Sequence, residues 1–334
     1  MQNPASDTRW NLGHPYGAKT VLALLVTLML CLYVGQRVEM GKMVALTADG
    51  LLASVGIKPQ SQVTTGLGHL AHSLFPIQIS ERVEVARIEN FDPTQLPWLA
   101  HLETVGVSES KLNPDTLRME TIVAPREYLV EPVGYLWQVA VKMIETFEIA
   151  IWATLLAIGA SLPLAYFSAR NYTPNRTFYV TARSLVSLFR SMPELISALF
   201  LVLAYGFGPI AGVLALAIHS MGFLGKFYAE DIETADPKPQ EALRAIGAGK
   251  LKVLAYGVGP QVMPQFIAYT LYILDRNVRM ATVVGLVGAG GIGQELKGRY
   301  DMYQYAHVGT ILVAIFITVF LLDQLAARMR RKLA

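Results

Sequence analysis

The chain has 334 residues, of which 53% are hydrophobic and 16% charged, and a formal net charge of +3. Charge this far below the usual quarter, gathered into a few segments, excludes an ordinary soluble domain and indicates an integral membrane protein. The small positive balance gives no basis for nucleic-acid binding and fits basic loops on the cytoplasmic side of a bilayer. Cys31 is the sole cysteine, so no internal disulfide and no thiol metal site is expected.

The first uncharged run, Thr20 to Gly35, is short for a span but is extended by Ala18 and by snorkelling of Lys19. No small-residue cleavage site follows it, and the bulky Leu30 before Cys31 argues against lipoprotein processing. Residues 1–36 are therefore read as a cytoplasmic N-terminus and a first transmembrane helix. Residues 37–138 are mixed and polar, contain no run long enough to span, and are read as an extracytoplasmic insertion. Within it, Gly66 to Phe75 has apolar residues at helical spacing suited to the interface. The alternation in RVEVARI predicts a small strand-containing subdomain inside Ile77–Pro132, and His69 and His72 are expected in a loop.

Residues 139–334 form the predicted core. Further spans are expected at about Val139–Ala169, Phe178–Tyr205, Ile210–Tyr228, Met263–Val287 and Val308–Gln324, which makes about six in all. This count places both ends, the basic loop Arg170–Arg176 and the segment Glu230–Pro260 on one side. That side holds the short basic segments, as the positive-inside rule requires. No internal repeat is visible, which disfavours an inverted-repeat secondary transporter.

An ionisable side chain at bilayer depth costs about 2.5–3.5 kcal/mol on insertion scales, so each one needs a partner, water or a purpose. The fifth predicted span holds Asp275, Arg276 and Arg279. Asp275 and Arg279 are placed to pair at i and i+4, whereas Arg276 has no obvious local partner. Two readings stay open, an ion pair that ties helices together and a positive lining to an anion pathway. Arg190 lies in RSMPEL, where Pro193 frees a backbone carbonyl, so it faces protein or water. His219 and Ser220 lie in the fourth span, and a single membrane histidine reads first as a packed, hydrogen-bonded residue. Arg190, His219, Asp275, Arg276 and Arg279 are the candidate pathway residues. Glu145 and Glu148, within reach of Lys142 and interfacial water, are given no transport role. The sequence shows neither a nucleophile with a base nor a metal-ligand cluster, so no enzyme and no metal site is expected.

Gly288, Gly290 and Gly293 in VGAGGIGQEL fit G-x-G-x-x-G. A dinucleotide fold requires an acidic residue about 20 positions on, and Ile311–Ala314 contains none. Gly288, Gly290, Gly291 and Gly293 instead suit close helix contact and an irregular re-entrant turn.

Between the fourth and fifth spans lies EALRAIGAGKLKVLAYGVGP, Glu241 to Pro260. Pro239 suits a helix start, Gly247 and Gly249 make a joint, and Lys250 and Lys252 open a second amphipathic piece expected to stop near Gly257, Gly259 and Pro260. Glu241, Ala242, Gly247 and Pro260 match the coupling-helix motif of ABC importer permeases, EAA-x3-G-x9-I-x-LP, with Leu243, Gly257 and Gly259 as departures.

RSMPEL, GFGPIAGVLALAIHSMGFLGK, YGVGPQVMP and the run Asn277–Leu296 resemble, in that order, permeases of the phosphonate, phosphite and hypophosphite importers. The resemblance covers about Val139 to the C-terminus, with a weaker match over the first span and Gly66–Pro76. It implies an all-α polytopic membrane protein of the type I ABC importer permease fold, with about six transmembrane helices and an extracytoplasmic insertion.

The resemblance also implies a homodimer, two cytoplasmic ATPase subunits, an extracytoplasmic phosphonate-binding protein and a multi-pass location in the bacterial inner membrane. Residues 239–260 would be the coupling helix, with Glu241 contributing charge and Gly247 the joint. The chain has no Walker A pattern, so ATP and Mg would belong to the partners and no cofactor to this chain. The implied cargo is a phosphonate or phosphite, with Arg190, Arg276 and Arg279 as positive lining. A permease for another small ligand such as methionine, or an ion-coupled secondary transporter, is the alternative.

Overall fold

The computed structural model of the chain describes residues 17–58, 61–89, 91–93, 96–97, 99–112 and 119–333. By contact the chain falls into two units, Met1–Ser73 and Leu74–Ala334. In the first, α1 (Ala18–Arg37) carries the uncharged run and stops at Arg37, and none of its residues is buried. After Glu39 in the left-handed region (φ 55°), α2 (Met40–Ser54) follows. Next comes α3 (Gln62–Leu74), whose start is capped by Ser61 Oγ accepting from the Val63 amide at 3.3 Å. His69 and His72 thus lie on a helix rather than in a loop.

The second unit opens with a three-stranded antiparallel sheet in the order β1 (Glu81–Glu84), β3 (Met119–Glu131), β2 (His101–Leu112). Its register pairs Glu81 with Glu131 and His101 with Val130. Of RVEVARI only the first part is strand, because Val85–Arg87 turn as a 3₁₀ helix. Glu81 accepts from Arg299 Nη2 at 3.2 Å, and Gln78 O accepts from Thr310 Oγ1 at 2.5 Å. These bonds fasten the sheet to the C-terminal helices. The stretch 37–138, expected as one insertion, is divided by contact between the two units at Ser73.

The helices of the core are α4 (Gly134–Ser168), α5 (Arg176–Ser191), α6 (Glu194–Tyr205), α7 (Pro209–Thr234), α8 (Pro237–Ala245), α9 (Lys250–Val253), α10 (Gly259–Gly285), α11 (Gly291–Asp301) and α12 (Tyr305–Leu333). Small residues let α4, α7 and α10 approach closely, with Ala153, Ala215 and Ala281 fully buried among Ile149, Leu216 and Val284. A second core gathers Ala157, Leu224, Tyr228 and Val258 around Ile273.

Four of the described helices, α1, α4, α7 and α12, are long and apolar enough to cross a membrane. The expected third span, Phe178–Tyr205, is instead two helices bent by 91°. The cause is Pro193, which lacks an amide hydrogen and holds Met192 extended at φ −75°, ψ 123°. Counting this pair as one span gives five among the described residues; α10, whose 27 residues include the three charges expected in the fifth span, does not meet the same test.

Candidate functional site

The bend at Met192–Pro193 opens a polar site between α6, α7 and α10. Pro193 holds Met192 extended, outside the helical ladder, and its free carbonyl is met by His219 Nδ1 at 2.9 Å. That bond fixes the ring hydrogen at Nδ1 and leaves Nε2 as an acceptor, which receives Arg276 Nη2 at 2.8 Å. The same Nη2 donates to Glu194 Oε1, and Glu194 lies 3.1 Å from His219 Nε2. Arg276, which has no obvious local partner on α10, thus finds partners on two other helices. Glu194, in the first turn of α6, lies where the helix dipole favours a carboxylate. Arg276 Nη1 is buried and has no hydrogen-bond partner among the described residues.

Phe223 of α7 lies beneath two cations: the guanidinium carbon of Arg276 is 4.9 Å from its ring centroid and that of Arg190 is 5.9 Å away. The site thus concentrates positive charge against an aromatic face, where a desolvated cation gains most. Farther along α10, Arg279 Nη2 donates to Asp275 Oδ2 at 2.7 Å, the i, i+4 pair read from sequence. Asp275 is buried, its Oδ1 is unpartnered, and Arg279 is largely exposed. Between these charges, Asn277 joins three helices: its Oδ1 accepts from Ser220 at 2.9 Å and its Nδ2 donates to Thr154 at 3.0 Å.

The glycine run ends α10 and turns the chain into α11. Gly288, Gly290 and Gly291 have φ of 90°, 84° and 69°, a region that side-chain-bearing residues rarely enter. The turn packs by backbone, with Gly208 N donating to Gly288 O at 2.9 Å and a Cβ at Gly290 meeting Pro209 N at 2.9 Å. Glu145 Oε1 accepts from the Gly291 amide at 2.9 Å and Thr146 Oγ1 from the Ile292 amide at 2.8 Å, so α4 caps α11. Glu145 also takes Lys142 at 2.6 Å. It is structural cement for the turn rather than an interfacial bystander.

At the other end of α7, Asp236 caps α8 by accepting from Lys238 N at 3.0 Å. α8 begins at Pro237, so Pro239 lies inside its first turn. Gly247 turns the chain with φ 83°, and α9 begins at Lys250. The second piece does not stop at Gly257: Leu254–Val258 form a π turn that runs into α10, and Pro260 lies in the first turn of that helix. There a missing amide hydrogen costs nothing. Glu241, Ala242, Ile246, Leu251 and Tyr256 are exposed on this segment. Its inner face is held by Gln240, whose Oε1 accepts from Tyr172 Oη at 2.8 Å and whose Nε2 reaches Ala235 O and Asp236 O. Burial raises the Tyr172 phenol above its ordinary value, opposed by the nearby Arg244 cation.

Of the residues expected in the pathway, His219 and Arg276 meet directly and Arg190 shares their aromatic neighbour, whereas Asp275 and Arg279 form a separate pair. Glu194 escapes sequence reasoning as a site residue; its only signal is an acid directly after the proline that breaks a span.

The same arrangement of helices recurs in solved importers. An inward-facing structure of the MetNI methionine ABC transporter aligns with a TM-score of 0.53 and 22% identity, over 60% of this chain and 97% of that one. This likeness defines the fold as that of an ABC importer permease. A description written for binding-protein-dependent transport system inner membrane components matches residues 161–333. HtxE of Stutzerimonas stutzeri, provisionally named a phosphite transport system permease protein, is 62% identical over 260 residues, covering 78% of this chain and 100% of that protein. PtxC of the same organism, a phosphite transport system permease protein, is 44% identical over 189 residues, 57% of this chain and 69% of its own. The chain belongs to the family of binding-protein-dependent transport system inner membrane components. It is a permease subunit and not an enzyme.

Proposed function

We propose that this permease carries a phosphorus oxyanion, phosphite or a phosphonate, across the bacterial inner membrane by alternating access. Two copies would enclose the pathway, ATPase subunits that bind ATP and Mg would dock on the cytoplasmic face, and an extracytoplasmic binding protein would deliver the anion. The observation that carries the ligand class is the pair of guanidiniums, Arg190 and Arg276, over one partly buried aromatic face. It occurs in a chain whose relatives are named for phosphite. An anion with one or two charges enters low dielectric only against positive lining, and the planar guanidinium fork suits phosphorus oxygens. Few arginines serve passage better than a closed cage, because binding must stay weak enough for release. Arg279 and Asp275 extend this lining along α10.

In this reading the exposed face of Glu241–Pro260 enters an ATPase cleft. Glu241 contributes charge, Ala242 permits close approach, Gly247 supplies the joint and Pro260 starts the span. Both ends of the chain then lie in the cytoplasm, and anionic lipid contacts the basic loops.

The test is ATPase activity of the reconstituted importer, with its binding protein, against alkylphosphonates, phosphite, phosphate and methionine. Stimulation by phosphite or a phosphonate and not by methionine is expected. Stimulation by methionine alone would overturn the ligand class and leave the importer fold.

A further inference from the structure

We propose that Glu194 is a positioning residue for transport: a resident counter-ion that occupies Arg276 between turnovers and leaves by exchange with the passing anion. This role rests on the proposed oxyanion pathway.

The geometry around Glu194 supports exchange rather than a permanent lock. Its carboxylate is mostly buried, at 12% side-chain exposure, and has two neighbours, Arg276 and His219. His219 offers it no hydrogen, since Nδ1–H is committed to Met192 O and Nε2 already accepts from Arg276. Glu194 is thus held through one nitrogen of one guanidinium. That guanidinium keeps a second nitrogen, Nη1, buried and unpartnered. An unpartnered buried donor is costly unless something arrives to take it. A phosphorus oxyanion presents several oxygens. It can take Nη1 first and then displace the carboxylate from Nη2, completing the bidentate geometry that Glu194 leaves half made. Arg190 across Phe223 compensates the extra negative charge while both anions are present.

The arrangement also answers the trapping problem. A bare buried arginine would hold an oxyanion tightly, whereas a tethered carboxylate at high local concentration competes it off. Net charge at Arg276 is then nearly constant through the cycle, and affinity becomes a difference between two anions.

The experiment uses the assembled importer in proteoliposomes with phosphite as the probe and three variants, E194Q, E194D and R276Q. Two readouts are taken: phosphite retained by the permease–ATPase complex without binding protein, and turnover and KM for uptake with it. For E194Q, retention is expected to rise about tenfold and turnover to fall about tenfold, with KM for the loaded binding protein unchanged. E194D keeps the charge and is expected to restore turnover to within about threefold of the natural protein.

A purely structural Glu194 would instead lower assembly and thermal stability in E194Q with no rise in retention, and that result overturns the proposal. Natural behaviour of E194Q with loss of uptake in R276Q overturns the role of Glu194 alone. Natural uptake by R276Q removes the arginine pathway and this role with it.

Discussion

Two breaks interrupt the helical core, and they are made by opposite means. At Met192–Pro193 a proline ends α5 with Met192 extended, and the Met192 carbonyl left outside the helix orients a histidine and, through it, an arginine carried by two other helices. At Gly288–Gly291 glycines remove side chains instead, so that backbone packs on backbone and every exposed amide at the start of α11 that α4 reaches is capped. The first break leaves a buried guanidinium nitrogen without a partner; the second fills its space with main chain. A proline break is thus able to build a polar site with spare hydrogen-bonding capacity, whereas a glycine break builds a joint. The glycines of the G-x-G-x-x-G pattern are spent on close contact with Phe207 and Pro209 at the start of α7, with α4 and, at Gly293, with the backbone of α10.

The largest effect is expected from closing the glycine joint. A Cβ at Gly293 would run into the Thr282 carbonyl and the Gly285 backbone, neither of which can step aside as a side chain does. Gly293→Val should therefore give no monodisperse permease on size-exclusion chromatography, and a natural elution profile would show that the joint is looser than described. Less severe is loss of its cap. Glu145→Ala removes a charge-assisted bond to the Gly291 amide, which is worth about 1.5–3 kcal/mol, and should lower the unfolding temperature in detergent while leaving α4 itself intact.

Tyr172→Phe deletes the hydroxyl that holds Gln240, with a cost of about 0.5–1.5 kcal/mol, so the protein should assemble. Its informative readout is the ratio of transported anion to ATP hydrolysed, which should fall; an unchanged ratio would mean that Gln240 is not needed to hold α8. The smallest effect belongs to Asp275→Asn. The change removes a buried charge together with its pair to the more exposed Arg279, so the two effects oppose each other and the net change in stability is expected to be small. A collapse of stability there would reveal that Asp275 carries a contact beyond that pair.

Much of this fold is visible in hydropathy alone. The runs that become α1, α4, α7 and α12 are long and nearly uncharged, and the spacing from Glu241 to Pro260 marks the segment between α7 and α10. The glycine turn is equally plain, because four glycines in six residues leave few other conformations. The bend at Pro193 is foreshadowed by the proline, but its 91° magnitude depends on α7 packing against both halves, which no local signal carries. The grouping of Glu194, His219 and Arg276 is hidden for the same reason: it joins three helices across separations that only tertiary packing sets. The sheet is half legible, since the alternating RVEVARI points to a strand while the longer β2 and β3, rich in charged and hydroxyl residues, read as polar connection. The π turn at Leu254–Val258 is obscured by Gly257 and Gly259, which look like a stop, whereas Gly257 instead permits close approach to Leu243 and Gln240.

That turn makes Lys250–Val253 and α10 one continuous run of helix, with Pro264 inside it. From Gly259 to Arg276 the helical rise amounts to about 25 Å, so a lever pivoting near its base by about 10° would sweep the Arg276 guanidinium through about 4 Å. Such a stroke exceeds the reach of any hydrogen bond. Movement imposed at the end that carries Tyr256 would therefore strain the Arg276–Glu194 contact together with the Asn277 bonds and the Ile273 packing that hold α10 to α4 and α7.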